Sequence, residues 1–137
     1  MASITAIRNG IATNLAVLPD IQVEPYMLAN PTPPAAHVKP GETLYDRTMG
    51  RGLDELTFKV QVFLPMIVDV ASQQNLDQYL AGSGSLSVKT AIESDKTLGG
   101  IVQDTHVTMC SEPMLYRHAD GKSSLMCEWT VQVFGTN

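Results

Sequence analysis

Leu56-Thr57-Phe58-Lys59-Val60-Gln61-Val62-Phe63-Leu64 is the stretch from which the fold is read. Leu56, Phe58, Val60, Val62 and Leu64 alternate with Thr57, Lys59, Gln61 and Phe63. Successive side chains of an extended chain point to opposite sides, so a repeat of two marks a strand with one buried face. Pro65 closes the pattern, because proline has no N–H to give to a ladder. A strand that is apolar on one side only requires a second layer to cover that side.

The sequence on either side supplies that layer. Upstream, Ile4, Ile7, Ile11, Leu15 and Leu18 recur at three- and four-residue steps, which predicts an amphipathic helix over 3–18. Ser3 can cap its start and Pro19 ends it, while Gly10 weakens it by about 1 kcal/mol relative to alanine. Downstream, a second helix begins near Asp69 with Leu76, Tyr79 and Leu80 as its apolar side. Gly82-Ser83-Gly84 breaks it, and Ser85 or Ser87 can cap a short third helix carrying Val88, Ala91 and Ile92.

After the turn Leu98-Gly99-Gly100, two more strands are expected at 101–112 and 123–134, joined through Ala119-Asp120-Gly121-Lys122. Asp-Gly between strand patterns is a strong hairpin signal. Leu125, Cys127, Trp129, Val131 and Val133 share one face of the second strand, and strict alternation gives Val107 and Met109 a common face in the first. Between the first helix and the alternating strand, Ile21, Val23 and Tyr26–Leu28 look extended. Pro25, Pro31, Pro33, Pro34 and Pro40 confine those segments to an edge or to turns. The stretch 41–53 reads as a loop. The expected order is α-β-β-β-α-α-β-β: an α+β chain with a mixed, mostly antiparallel sheet and packed helices. There is no internal repeat and no low-complexity segment, and 1–137 reads as a single domain.

Composition agrees with one self-supporting core. At 44% hydrophobic and 17% charged, the 137 residues can fold without metal or disulfide, and two cysteines, Cys110 and Cys127, are too few for a disulfide framework. The net charge of −5 comes from 14 acids against nine scattered bases. Tight non-specific nucleic-acid binding is therefore not expected, since no basic run is present to displace phosphate counterions. No apolar stretch reaches the ~20 residues of a membrane helix. Met1-Ala2-Ser3-Ile4 has no basic region leading into an apolar run, so neither a membrane span nor a signal peptide is expected.

A search for chemistry finds little. Gly82-Ser83-Gly84-Ser85 lacks the Gly-Lys-Ser/Thr ending and preceding strand of a phosphate loop, and it is not Gly-x-Ser-x-Gly, so it reads as a helix–helix linker. His106, Cys110, His118 and Cys127 are possible metal ligands. Regular alternation turns Cys110 away from the face of Val107, Met109 and Cys127, so without a bulge the two thiols can neither bridge nor share a tetrahedral site. With no Cys-x-x-Cys or His-Glu-x-x-His motif, neither metal nor cofactor is expected, and Cys127 reads as a small buried hydrophobe. Asp46, Asp54 and His106 are the only acid–base candidates, and none has a recognisable catalytic setting, so the chain reads as a non-enzyme.

Folding explains least about Met49-Gly50-Arg51-Gly52. Arginine, methionine and tyrosine are typical of interfaces. Tyr45, Arg47, Met49 and Arg51 are therefore the candidate residues of an arm reaching a neighbouring subunit or partner; the plainer reading is a surface loop.

The succession Tyr45-Asp46-Arg47, Met49-Gly50-Arg51-Gly52 and Thr57-Phe58-Lys59-Val60-Gln61-Val62 resembles the small tail terminator proteins of long-tailed bacteriophages, especially those of actinobacterial hosts. So do Leu76-Asp77-Gln78-Tyr79-Leu80-Ala81-Gly82-Ser83-Gly84, Ser87-Val88-Lys89-Thr90-Ala91-Ile92-Glu93, Thr97-Leu98-Gly99-Gly100, the proline-rich 31–40 and the closing hairpin. The likeness spans about 25–134, and none of its motifs is catalytic.

The resemblance implies helices packed on a sheet and a hexameric ring that caps the tail tube and docks on the head's connector. Its expected partners are further copies of the chain, the tail tube protein and a head–tail connector or stopper protein. DNA would cross the lumen without specific binding, at the head–tail junction of the virion, after assembly in the host cytoplasm. The nearest alternative is a head-completion or stopper subunit; from a different class, a small non-viral binding domain. Acidic charge facing a lumen would let DNA slide, whereas a lumen lined by Arg8, Lys89 or Lys96 would oppose that expectation.

Overall fold

The alternating strand spans Asp54–Leu64 and lies at the centre of a six-stranded sheet. The computed structural model describes residues 4–18, 21–27, 34–44, 54–64, 70–117, 121 and 123–135. In chain order its elements are α1 (Ile4–Leu15), β1 (Gln22–Glu24), β2 (Ala35–Leu44), β3 (Asp54–Leu64), α2 (Val70–Leu80), α3 (Val88–Ile92), a 3₁₀ turn (Glu93–Asp95), β4 (Asp104–Cys110), β5 (Met114–Arg117) and β6 (Ser123–Gly135). The strands are ordered β1-β2-β3-β6-β4, with β5 also on β6. Among the described residues only β1 and β2 run parallel; the other pairings are antiparallel. The chain is α+β with a mixed, mostly antiparallel sheet.

Directly opposed residues share a face of the sheet. Between β3 and β6 the register is unbroken from Asp54↔Gly135 to Leu64↔Leu125, setting Phe58 against Val131, Val60 against Trp129 and Val62 against Cys127. All six are buried in one cluster with Ile7, Ile11, Leu15 and Leu18 of the first helical segment and Val88, Ala91 and Ile92 of α3. This is the inner face. Trp129 is 2% exposed, the core position its alternation predicts. Leu76, Tyr79 and Leu80 of α2 pack against the cluster's margin.

Asn14 also lies on the buried stripe of α1. Its amide Nδ2 donates to the carbonyls of Ile92 (2.9 Å) and Asp95 (3.0 Å), tying α1 to the end of α3 and the 3₁₀ turn that follows it. At the start of α3 the Ser87 hydroxyl accepts the N–H of Thr90 and donates to Ala81 O, so of the two candidate caps Ser87 is the one in use.

Three sequence expectations are corrected. The segment 41–53 is not all loop, because β2 continues to Leu44; 45–53 lies outside the described residues. Pro40 lies beyond the last β2 residue paired with β1 and opens a slip in register between Pro40 and Thr43. Such a bulge is where a strand tolerates proline. At Gly41 a Cβ would stand 2.9 Å from Thr57 O, so the bulge brings β2 closer to its neighbour than a side chain permits.

Second, the order gains a strand. Met114–Arg117 pairs with the first part of β6, from Met114↔Met126 to Arg117↔Ser123. The strand that pairs with the start of β6 is therefore β5, and β4 lies on the same side of β6 beyond Ser111–Pro113. Pro113 and the shortness of β5 hid it from a periodicity reading.

Third, Val107 and Met109 do not share a face. The β4 ladder slips between them: Val107 opposes Val131, Met109 opposes Thr130 and Cys110 opposes Trp129. Thr108 is the extra residue of this bulge. Val107 is buried and Met109 is 59% exposed. Cys110 consequently turns to the inner face, the face of Cys127.

Candidate assembly surface

Tyr45, Arg47, Met49 and Arg51, the candidate arm, lie outside the described residues, as do Asp46 and His118. The other acid–base candidates are separated by the sheet. Asp54 opposes Gly135 and is buried in line with Leu56 on the inner face, whereas His106 opposes Gln132 on the outer face. Among the described residues no group of three or more His, Cys, Asp or Glu is placed to hold a metal ion. No described helix is long and apolar enough to cross a membrane.

The outer face carries a polar chain across three strands. His37 Nε2 lies 2.6 Å from Gln61 Oε1, and Gln61 Nε2 donates to Glu128 Oε2 at 2.9 Å. With the amide oriented in this way, the imidazole Nε2 is the donor. Burial holds the His37 imidazole below its ordinary pKa and the Lys39 charge adds to this, against the opposing hydrogen bond to Gln61. Lys59 Nζ donates to Thr130 Oγ1 and stands 3.7 Å from Glu128 Oε1. At one end of this face Phe63 meets His37 and Tyr116 edge-on, at 5.1 and 5.0 Å between ring centres.

The two rims of the sheet are unlike. On one, β1 is paired along one side only among the described residues, and Tyr26 and Met27 follow it exposed. The Arg8 guanidinium sits 5.1 Å from the Tyr26 ring centre, a cation over an aromatic face. The opposite rim, formed by β4 and β5, exposes Met109, Met114 and Leu115. Sequence reading missed this rim, because the bulge that turns Met109 outward leaves no trace in the hydrophobic pattern.

Glu93 closes part of the β4 rim. Its Oε2 accepts the backbone N–H of Val107 at 2.9 Å and lies 3.4 Å from His106 Nδ1, while its Oε1 accepts from Lys89 Nζ at 2.8 Å. Burial pushes this carboxyl up, but Lys89, the Val107 N–H and the Lys96 charge together hold it below the usual carboxylate value. Lys89 is thus directed at a carboxylate of its own chain, and Arg8 at an aromatic ring.

Beside this rim a cleft of about 150 Å³ lies between the end of α2 and β4, lined by Leu80, Gly82, Lys89, Val107, Cys110 and Trp129. Cys127 is fully buried and Cys110 partly so. The neighbouring Cys127 thiol and burial push Cys110 above an ordinary cysteine, and Cys110 Sγ donates to Ser111 O at 3.3 Å. No protein-family model matches the chain, and neither does any curated protein.

Proposed function

We propose that this protein is a virion structural subunit, a tail terminator that closes into a ring on the tail tube and joins it to the head connector, with DNA crossing the lumen. The observation that carries the reading is that apolar side chains stand exposed on both rims of an open sheet, on unlike strands: Tyr26 and Met27 beside β1, Met109, Met114 and Leu115 along β4 and β5. Rings of identical subunits join one surface of each copy to a different surface of the next. Two unlike apolar rims suit that geometry, and exposed strand edges are surfaces on which partner chains add.

The resemblance in 45–62, 76–93 and 97–100 points the same way. A structural role rather than turnover is further supported by the placement of Asp54 and His106 on opposite faces, where they cannot act on one substrate atom. The ring is hexameric in this reading.

The test is light scattering on the purified chain combined with negative-stain microscopy, alone and with tail tubes. Rings, free or seated on tube ends, are expected. A chain that stays single at all concentrations and ignores finished tubes overturns the reading. Rings that bind the connector but never a tube would identify a stopper subunit instead.

A further inference from the structure

We propose that Cys110 and Cys127 are a modification site, forming a reversible internal disulfide with a small-molecule disulfide as oxidant. This does not depend on the assembly reading. Because the bulge adds Thr108, Cys110 lies opposite Trp129 on the inner face, two residues along β6 from Cys127 on the same face. The two side chains are thus diagonal neighbours on one face of adjacent strands. Cys110 is the last residue of β4, and Ser111–Pro113 is irregular, so the shift that brings the two sulfurs to bonding distance falls at the end of the ladder.

Access is asymmetric. Cys127 has no exposure, whereas Cys110 is partly exposed and lines the cleft beside α2. Cys110 is therefore the attacking residue. Its thiol loses its proton and the sulfur attacks one sulfur of the oxidant, breaking the oxidant's S–S bond and releasing one small thiolate, which takes up that proton. The Cys127 sulfur then attacks the Cys110 sulfur of the mixed disulfide. The Cys110–Cys127 bond forms, a second small thiolate leaves, and it takes the Cys127 proton. Two protein thiols are oxidised and one small disulfide is reduced to two thiols. Because the thiolate is the attacking form, the first step quickens as pH rises.

The test is incubation of the full chain with oxidised glutathione, followed by thiol titration, intact mass and peptide mapping. Expected are loss of both thiols together, a mass lower by two hydrogens, a cross-linked peptide pair holding Cys110 and Cys127, reversal by dithiothreitol, and a melting midpoint raised by about 5–10 °C. A stable glutathione adduct on Cys110, a disulfide-linked dimer, or two unreacted thiols overturns the proposal. Cys110→Ser, at a partly exposed position, supplies the second arm. In this variant Cys127 should stay unmodified while the chain is folded; modification of Cys127 at the parent's rate would overturn the assigned order of attack.

Discussion

A Cβ placed on Gly10 would stand 2.9 Å from the Cβ of Leu98. The first helix and the turn before β4 thus meet at a distance that glycine alone allows. Leu98 cannot easily retreat, since it is 5% exposed and holds a left-handed backbone, φ 51°, in front of two glycines that also have positive φ. By propensity alone, Gly10→Ala should stabilise a helix by about 1 kcal/mol. Here it is expected to cost about 1–2 kcal/mol instead, through overpacking. Chemical denaturation of Gly10→Ala, Leu98→Gly and the double variant checks this. In the Leu98→Gly background the alanine should become neutral or stabilising; equal effects in both backgrounds would mean the contact does not govern the site.

Trp129 stands against Val60 on β3 and Cys110 on β4, in the middle of the inner face. Trp129→Ala is expected to cost about 3–5 kcal/mol, and Trp129→Phe less than half of that, because most of the packed surface survives. Urea midpoints for the two variants separate a core role from a surface one.

His37 makes stability fall in mild acid. Its folded pKa lies below the ordinary 6.5 through burial, aided by Lys39 and opposed by Gln61. Between the two values the unfolded chain binds a proton that the folded chain does not. The contribution is therefore complete above 6.5 and is lost as pH falls below it. Melting curves at about pH 7.5 and about pH 5.5 should show a larger drop for the parent than for His37→Gln. Parallel drops would remove His37 from the account.

The arm at 45–53 is expected to serve contacts between molecules. Arg51→Ala, or removal of 47–52, should leave the monomer's unfolding midpoint within about 0.5 kcal/mol of the parent while weakening ring formation or tail joining. Normal assembly by light scattering, with normal tail joining, would show that the glycine-flanked arginine is not an interface residue.

What the sequence reveals depends on how local each signal is. The alternation of 56–64, the stripe Ile7, Ile11, Leu15 and the Ser87 cap are written in consecutive residues, and each recurs in the fold. Asn14 reads as an ordinary polar position on α1, because the two carbonyls it serves lie about 80 residues away. Gly41–Leu44 reads as loop because proline and glycine punctuate local structure, yet a tertiary partner, β3, holds the segment as strand. Glu93 gives no sign in sequence that it reaches the Val107 amide. The candidate arm rests on residue type alone, and composition places no side chain.

Thr108 has no counterpart on β6, whereas its neighbours Val107 and Met109 oppose consecutive residues there, Val131 and Thr130. The strand therefore carries one residue more than its ladder uses. Shortening the chain by that residue would straighten β4 while leaving Val107, Met109 and Cys110 pointing where they already point. Removing a residue from β3, where every position is matched to β6, would instead turn half a strand inside out. In this corner of the sheet chain length is free to drift by one unit, and the tolerance belongs to the pairing rather than to threonine.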